Sequence, residues 1–415
     1  MRIQSFITIT LFAGIFCIIG CSKNDEITII PSTTPVGATN NTTTTTNIDP
    51  YAAIKLSFGT NIDPTNLENY ANQVKPAYIV KNNLGNNAIT DKTATLGRVL
   101  FYDKNLSINN TISCASCHNQ SFAFGDTAVV SAGVEGGLTI RHSMRLINTR
   151  FANEAKFFWN ERAANLNIQT TMPIVDHLEM GFSGENGRGN INSLISKLST
   201  INYYKELFKF TFGDSVVTEN RIQNALASFV SSIQSFDSKY DIGRAQVNND
   251  NQAFPNFTAQ ENQGKTLFIT APVFNGAGLR TTGGLGCNAC HNAPEFDIDP
   301  NTLNNGIIGI ANSANGIDIT NTRAGTLRDI TNATGAINTP MMHTGALRNL
   351  RAVINHYNTI NLNPRNTNLD PRLRPAGNAQ NLNVTEAEIA AIVAFMQTLG
   401  GTNVYVNKKW SNPFL

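Results

Sequence analysis

The chain has 415 residues, 41% of them hydrophobic and 14% charged, with a formal net charge of +2. That length is enough for two domains with sizeable cores. The near-neutral balance argues against nucleic acid as a partner and gives no strong steering field. Six cysteines are present: Cys17, Cys21, Cys114, Cys117, Cys287 and Cys290.

The N-terminus reads as a targeting segment. Arg2 supplies the positive start, Phe6 to Ile19 is an apolar run too short to span a bilayer, and Ile18-Ile19-Gly20-Cys21 ends it. The pattern resembles a bacterial lipoprotein signal, in which Cys21 is lipidated and becomes the first residue; an ordinary secretory peptide is the plainer alternative. Either reading exports the chain, and several acyl chains on Cys21 would anchor it stably to a membrane. Residues 1–20 are thus the expected signal. Residues 21–50, rich in Thr and Asn and without apolar periodicity, are an expected flexible tether.

The folded part begins near Tyr51 and reads as mainly α, with long irregular loops. Gly97-Arg98-Val99-Leu100-Phe101 sits on a helix and precedes Cys114-Ala115-Ser116-Cys117-His118, a C-x-x-C-H. That pattern is the attachment site of a c-type haem: two thiols bond two vinyl groups of one porphyrin, and the following imidazole binds the iron. A zinc or redox C-x-x-C is the alternative for one motif alone. Helices with apolar stripes follow at about 191–209 and 219–236, then an Asn/Asp-rich junction at 241–257.

Thr258 and Glu261 form a capping box that opens the next helix, which carries Gly264-Lys265-Thr266-Leu267-Phe268. A second C-x-x-C-H comes after it, Cys287-Asn288-Ala289-Cys290-His291. The repeat of Gly-basic-x-Leu-Phe before a haem motif marks two related cytochrome c-like domains, 51–250 and 251–415. With four thiols committed to haem, no pair remains for a disulfide once the leader is removed. Thr385 and Glu388 cap a last helix, whose Ile389, Ile392, Val393, Met396 and Leu399 form one stripe before Gly400-Gly401. Met396 is read there as core packing.

Over Leu96 to Leu399 the chain resembles the bacterial dihaem cytochrome c peroxidase family, which includes the MauG enzymes. The resemblance rests on Ser113 to His118, Phe158-Trp159-Asn160-Glu161-Arg162-Ala163 against F-W-D-G-R-A, and Leu178-Glu179-Met180. It continues in Cys287 to His291, in Pro340-Met341-Met342-His343-Thr344-Gly345 against P-Y-M-H-D-G, and in His356-Tyr357-Asn358. It implies two haems, with peroxide chemistry at the first and electron transfer at the second. Glu179, twenty residues after Trp159, matches the family's catalytic acid/base; Gln169 matches a glutamine of the same pocket; Trp159 would bridge the haems. His177 falls outside the motif and reads as a surface or structural residue.

The axial positions follow from the same resemblance. The residue aligned with the distal ligand of the first haem is Val134, which cannot bind iron, so this haem should be open as isolated. His142, where the family has Asn in R-N-A-P, is the rival ligand. The expected calcium ligands are the carbonyls of Asn338 and Pro340, at a site that His142 weakens. Tyr357 is the expected distal ligand of the second haem, as in MauG enzymes, with Met342 as the alternative. His343 and His356 are open between propionate partners and structural roles.

The expected activity is reduction of hydrogen peroxide to water with electrons from an exported donor such as a small cytochrome c. A MauG-like oxidation of a protein or small molecule by long-range hole transfer is the alternative, and a non-catalytic dihaem carrier is a third reading. The expected location is the periplasm, lipid-anchored. The sequence leaves the oligomeric state open, a homodimer included.

Overall fold

Two close helix crossings carry the architecture, and each turns on a glycine. The computed structural model describes residues 49–415 apart from Asn86 and Asp299; the expected signal, Cys21 and nearly all of the tether lie outside the described residues. In chain order the helices are α1 (Ala52–Phe58), α2 (Asp91–Tyr102), α3 (Cys114–Cys117), α4 (Leu166–Val175), α5 (Ile191–Thr200) and α6 (Asn202–Phe212). They continue as α7 (Glu219–Ser232), α8 (Lys239–Arg244), α9 (Ala259–Ile269), α10 (Leu350–Asn358) and α11 (Glu386–Gln397). Strands are short: β1 (Pro272–Phe274) pairs with β2 (Arg280–Gly283), β3 (His291–Asn292) with β4 (Asp297–Ile298), and β5 (Gly309–Ile310) with β6 (Ser313–Ile317), all antiparallel. No helix among the described residues is long and apolar enough to cross a membrane.

Helix α2 packs on α7, and α9 on α11. A Cβ on Gly97 would lie 1.9 Å from Ala225 O and 2.8 Å from Phe229 Cβ; one on Gly264 would lie 1.9 Å from Ala391 O and 2.8 Å from Phe395 Cβ. The two crossings use the same parts, a glycine against Ala-x-x-x-Phe, because only a bare Cα lets the backbones approach so closely. The neighbouring basic residue does equivalent work in both halves. Arg98 is buried and donates through Nε to Ser411 O at 2.7 Å and through Nη1 to Asn61 O at 3.2 Å; buried Lys265 donates to Gln252 O at 2.7 Å and to Asp250 O. Each buried cation thereby finds its partners in loop carbonyls that have no helix or strand bond of their own to supply.

Two hydrophobic clusters result. One draws on residues from Ile54 to Ile233, together with Val404 and Trp410 of the C-terminal tail; the other draws on Tyr240 to Leu399. The tail is tied back by Tyr102, which donates to Trp410 O, and Tyr70, which donates to Lys409 O, both at 2.6 Å. Within 241–257, Phe254 and Phe257 sit in the second core.

Both expected capping boxes are present, at Thr258/Glu261 and Thr385/Glu388. The helix expected at about 191–209 is instead two. Ile201 is extended (φ −82°, ψ 124°) and ends α5 while opening α6, and Leu194 and Leu198 of the one and Tyr204, Leu207 and Phe208 of the other pack into the same first core. A continuous 3.6-residue stripe over that length would have hidden this break.

Candidate active site

Each C-x-x-C-H is shaped locally. Ser113 and Ser116 cap α3 reciprocally, with Ser113 N donating to Ser116 Oγ at 3.0 Å, and His118 ends the turn with its N–H on Cys114 O at 3.0 Å. The ring Nδ1 of His118 donates to Phe124 O at 3.0 Å. That bond fixes the tautomer and leaves the Nε2 lone pair for a metal. Ala123 and Phe124 adopt positive φ (54° and 57°), the turn that aims this carbonyl. At the second motif Gly286 (φ 70°) leads into Cys287, and His291 opens β3. Burial foremost, with the charge of Arg145 adding to it, pushes His291 down to about 4, so the imidazole is neutral, the form that ligates iron.

A single cavity of about 1110 Å³ is lined by both motifs, above the roughly 300–1,000 Å³ of an ordinary small-molecule site. Burial pushes the thiols of Cys114 and Cys287 up to about 12 and that of Cys117 up to about 11. No three His, Cys, Asp or Glu side chains among the described residues converge as a metal cluster, which is unlike a tetrahedral zinc site. The walls are apolar, with Phe101, Leu226 and Val230 on one side and Phe268, Ile354 and Ile392 on the other. Space, thioether-forming thiols and neutral imidazoles together fit a haem at each motif. Met396 is buried in the second core and also borders this cavity.

Glu179 and Gln169 both line the cavity. Gln169 sits on α4, whose start is capped by Asn165 accepting from Ile168 N at 2.9 Å. After α4, Asp176 Oδ1 accepts from Leu178 N (2.8 Å) and Glu179 N (3.2 Å), which turns the chain and sets the glutamate. Burial, then the charge of Asp176, push the Glu179 carboxyl up to about 7 against the opposing pull of Arg162. Its charge is felt at Cys114 and Cys117. Gly133 is pressed onto this segment, since a Cβ there would lie 1.8 Å from Leu178 O. Val134 is buried and does not border the cavity; its Cγ2 lies 2.9 Å from where a Cβ on Gly181 would be, so Ala132 and Gly133 are what the loop presents to the cavity. His177 does not border the cavity, and its Nδ1 meets Ser183 Oγ at 2.9 Å.

Trp159 lies where segments from the two halves of the chain meet. Its indole Nε1 donates to His142 O at 2.6 Å, its own carbonyl accepts from Thr322 N (2.9 Å) and Arg323 N (3.0 Å), and its ring meets that of His343 edge-on at 6.3 Å. His142 N donates to His343 O at 2.7 Å, closing the junction. The turn after Trp159 keeps the shape a glycine would favour although Glu161 occupies it at φ 53°; Thr322 Oγ1 holds its carboxylate at 3.1 Å. His142 is buried, with Nδ1 donating to Ala128 O (2.9 Å) and Val129 O (3.2 Å) and Nε2 without a partner. His343 Nε2 meets Gly309 O at 2.8 Å.

On the second side, Tyr357 from α10 and Met342 (φ 67°) both border the cavity, and one amide links them. Asn305 Nδ2 lies 3.2 Å from Met342 Sδ and 3.3 Å from Tyr357 Oη, while its carbonyl meets His356 Nε2 at 2.9 Å. His356 therefore holds Asn305 rather than reaching the cavity itself. Asn305 was not singled out from the sequence, because an Asn inside an Asn-rich loop carries no local signal. Asn338 donates through Nδ2 to Asp329 O and to Tyr405 Oη, both at 2.7 Å, and Pro340 borders the cavity.

Residues 91–249 match the family model described as di-haem cytochrome c peroxidase. The chain is 27% identical over 323 residues to the methylamine utilization protein MauG of Methylophilus methylotrophus, covering 76% of this chain and 84% of that one. It is 28% identical over 318 residues to a cytochrome c551 peroxidase of Nitrosomonas europaea, covering 74% and 80%. Among solved structures it is similar to a MauG-like protein associated with microbial copper homeostasis, with TM-score 0.63, 26% identity and coverage of 82% and 99%. The diheme peroxidase BthA from Burkholderia thailandensis shares the fold at TM-score 0.57 and 21% identity, covering 83% and 90%.

Proposed function

We propose that this chain, whose residues 91–249 match the di-haem cytochrome c peroxidase family, is an oxidoreductase of that family that reduces hydrogen peroxide to water with electrons from an exported donor such as a small cytochrome c. Cys114, Cys117 and His118 would hold one haem c and Cys287, Cys290 and His291 a second, which would supply the iron chemistry for peroxide cleavage at the first motif and for electron entry at the second. The overall reaction consumes two electrons and two protons per peroxide and yields two waters.

Glu179 is the observation that carries this reading. Cleaving an O–O bond heterolytically requires a group that takes a proton from one oxygen and returns it to the other. A carboxyl held near 7 at the cavity wall does both at neutral pH. The Gln169 amide can hold the peroxide by hydrogen bonding but does not titrate. With Val134 packed toward Gly181, the first site has Ala132 and Gly133 on its loop side and no side chain there that could ligate iron. Trp159, hydrogen-bonded to both halves, is the relay for electrons between the sites. An electron carrier has no use for a protonatable carboxyl at an open cavity wall.

A MauG-like second reading is favoured by Tyr357. Its hydroxyl borders the cavity beside Asn305, and a phenolate ligand stabilised by that amide would favour ferric and higher states. Met342 shares the same amide and is the competing ligand. Lipidation at Cys21, export to the periplasm and a division into haem domains at about residue 250 complete the proposal. The test is steady-state turnover of peroxide with reduced cytochrome c as donor: oxidation of the cytochrome in step with peroxide loss supports the peroxidase, while peroxide consumption that leaves the cytochrome reduced supports the MauG-like alternative.

A further inference from the structure

Beside the first motif two tyrosines share one buried carboxylate. Asp103 ends α2, two residues after Phe101 of the cavity wall, and α2 packs on both α3, which begins at Cys114, and α6, which carries Tyr203 and Tyr204. The Asp103 side chain is turned inward. Its Oδ1 accepts from Asn105 N at 2.8 Å and from Asn105 Nδ2 at 2.9 Å, and its Oδ2 accepts from the hydroxyls of Tyr203 and Tyr204, each at 2.7 Å. The two phenol rings lie 4.7 Å apart between centroids. Tyr204 is wholly buried and within electrostatic reach of the Cys114 thiol, whereas Tyr203 is half-buried and so partly open to solvent.

Consecutive helix residues point about 100° apart, so the two hydroxyls meet on one oxygen only because Asp103 lies between their directions. Burial first, then the charge of Asp103, push both phenols above their ordinary value, so each keeps its proton and donates it. A tyrosine gives up an electron readily when its proton leaves in the same step, and a carboxylate at 2.7 Å is placed to take that proton. The order of burial supplies a direction, from Tyr204 beside the first motif to Tyr203 at the surface.

We infer that Tyr204, Tyr203 and Asp103 form a one-electron relay between the first haem site and the surface, where a small phenolic reductant is oxidised. The inference rests on peroxide reduction at the first motif, which draws two electrons. Tyr204 supplies one, and its hydroxyl proton moves to Asp103 Oδ2, leaving a neutral phenoxyl radical and a carboxylic acid. Tyr203 then gives an electron to the Tyr204 radical, while Asp103 returns a proton to Tyr204 and takes the one from Tyr203. A phenol from solution gives an electron to Tyr203 and loses its own proton to water, and Tyr203 recovers its proton from Asp103. Two such passages complete the reduction of one peroxide and leave the protein unchanged. The second motif and Trp159 serve a protein donor; this route serves a small one.

The test uses ferric full-chain holoprotein, mixed with hydrogen peroxide in the absence of a donor, freeze-quenched and read by electron paramagnetic resonance and absorbance. A radical signal is expected that narrows when the protein is made with ring-deuterated tyrosine. It should fall roughly tenfold or more in Tyr204→Phe and in Asp103→Asn, which lack the first electron source and the base. In Tyr203→Phe the signal should persist with altered hyperfine structure, and added guaiacol should quench it in the wild type but not in this variant. If Tyr204→Phe does not fold, Tyr203→Phe and the deuterated wild type decide. A haem spectrum that responds to peroxide with no tyrosine radical, or a full signal in Tyr204→Phe, would overturn the relay and leave the peroxidase reading standing. A haem spectrum that ignores peroxide would defeat that reading and the relay with it.

Discussion

Replacing Glu179 by Gln keeps the side chain's size and cavity contacts and removes its only titratable group. With the carboxyl near 7, about half the molecules carry the carboxylate at pH 7 and about a tenth at pH 6, whereas an ordinary Glu near 4.5 would be ionised in more than about nine tenths at pH 6. The carboxylate is the form that accepts the peroxide proton. The second-order rate with peroxide, followed by stopped-flow absorbance, should therefore rise with pH and level off above about 7. Glu179→Gln should be slower by roughly 100-fold or more, about 2.7 kcal/mol in the barrier, and that rise should vanish. The causes of the shift give a second check: Arg162 opposes it, so Arg162→Leu should move the midpoint upward. Normal peroxide kinetics in Glu179→Gln, or an unchanged pH profile, would refute the assignment.

The haem count follows from the thiols: Cys114→Ser or Cys287→Ser should each lose one covalently attached haem by pyridine haemochrome assay, and an unchanged ratio would end the two-site account. Tyr357→Phe should alter the low-spin signal of the second site while Met342→Leu leaves it, by electron paramagnetic resonance; a response confined to Met342→Leu would make the thioether the ligand. Gly264→Ala would drive a Cβ to 1.9 Å from Ala391 O, and since backbone must move, the cost should reach about 3 kcal/mol or more in chemical denaturation. Stability within about 0.5 kcal/mol of wild type would show that α9 and α11 are free to separate.

Local chemistry was legible in the sequence, and pairwise geometry was not. The boxes at Thr258/Glu261 and Thr385/Glu388 close within four residues, and the haem motifs within five, so spacing alone reveals them. Gly97 and Gly264 could be seen as a repeat, but their partners Ala225 and Ala391 lie more than a hundred residues away and carry no signal of their own. Val134 could be read as a residue unable to bind iron; that it packs toward Gly181 required coordinates. Asn305 and Asp103 were missed for the same reason. An amide in a polar loop and a carboxylate at a helix end acquire meaning only from what they face, Tyr357 and Met342 in one case and Tyr203 with Tyr204 in the other. The break at Ile201 shows the converse, an apolar period that continues through a break between helices.

The central claim is an open first site beside a proton-transferring glutamate, and one absorbance measurement addresses it. Ferric protein, purified and never exposed to reductant, is mixed with cyanide and, separately, with hydrogen peroxide. With Val134 turned into the fold and Ala132 and Gly133 at the cavity, a high-spin component should be present at the start and convert on mixing. A wholly low-spin spectrum that ignores both reagents until the protein is reduced would contradict the claim and make the unpartnered His142 Nε2 the first ligand to test.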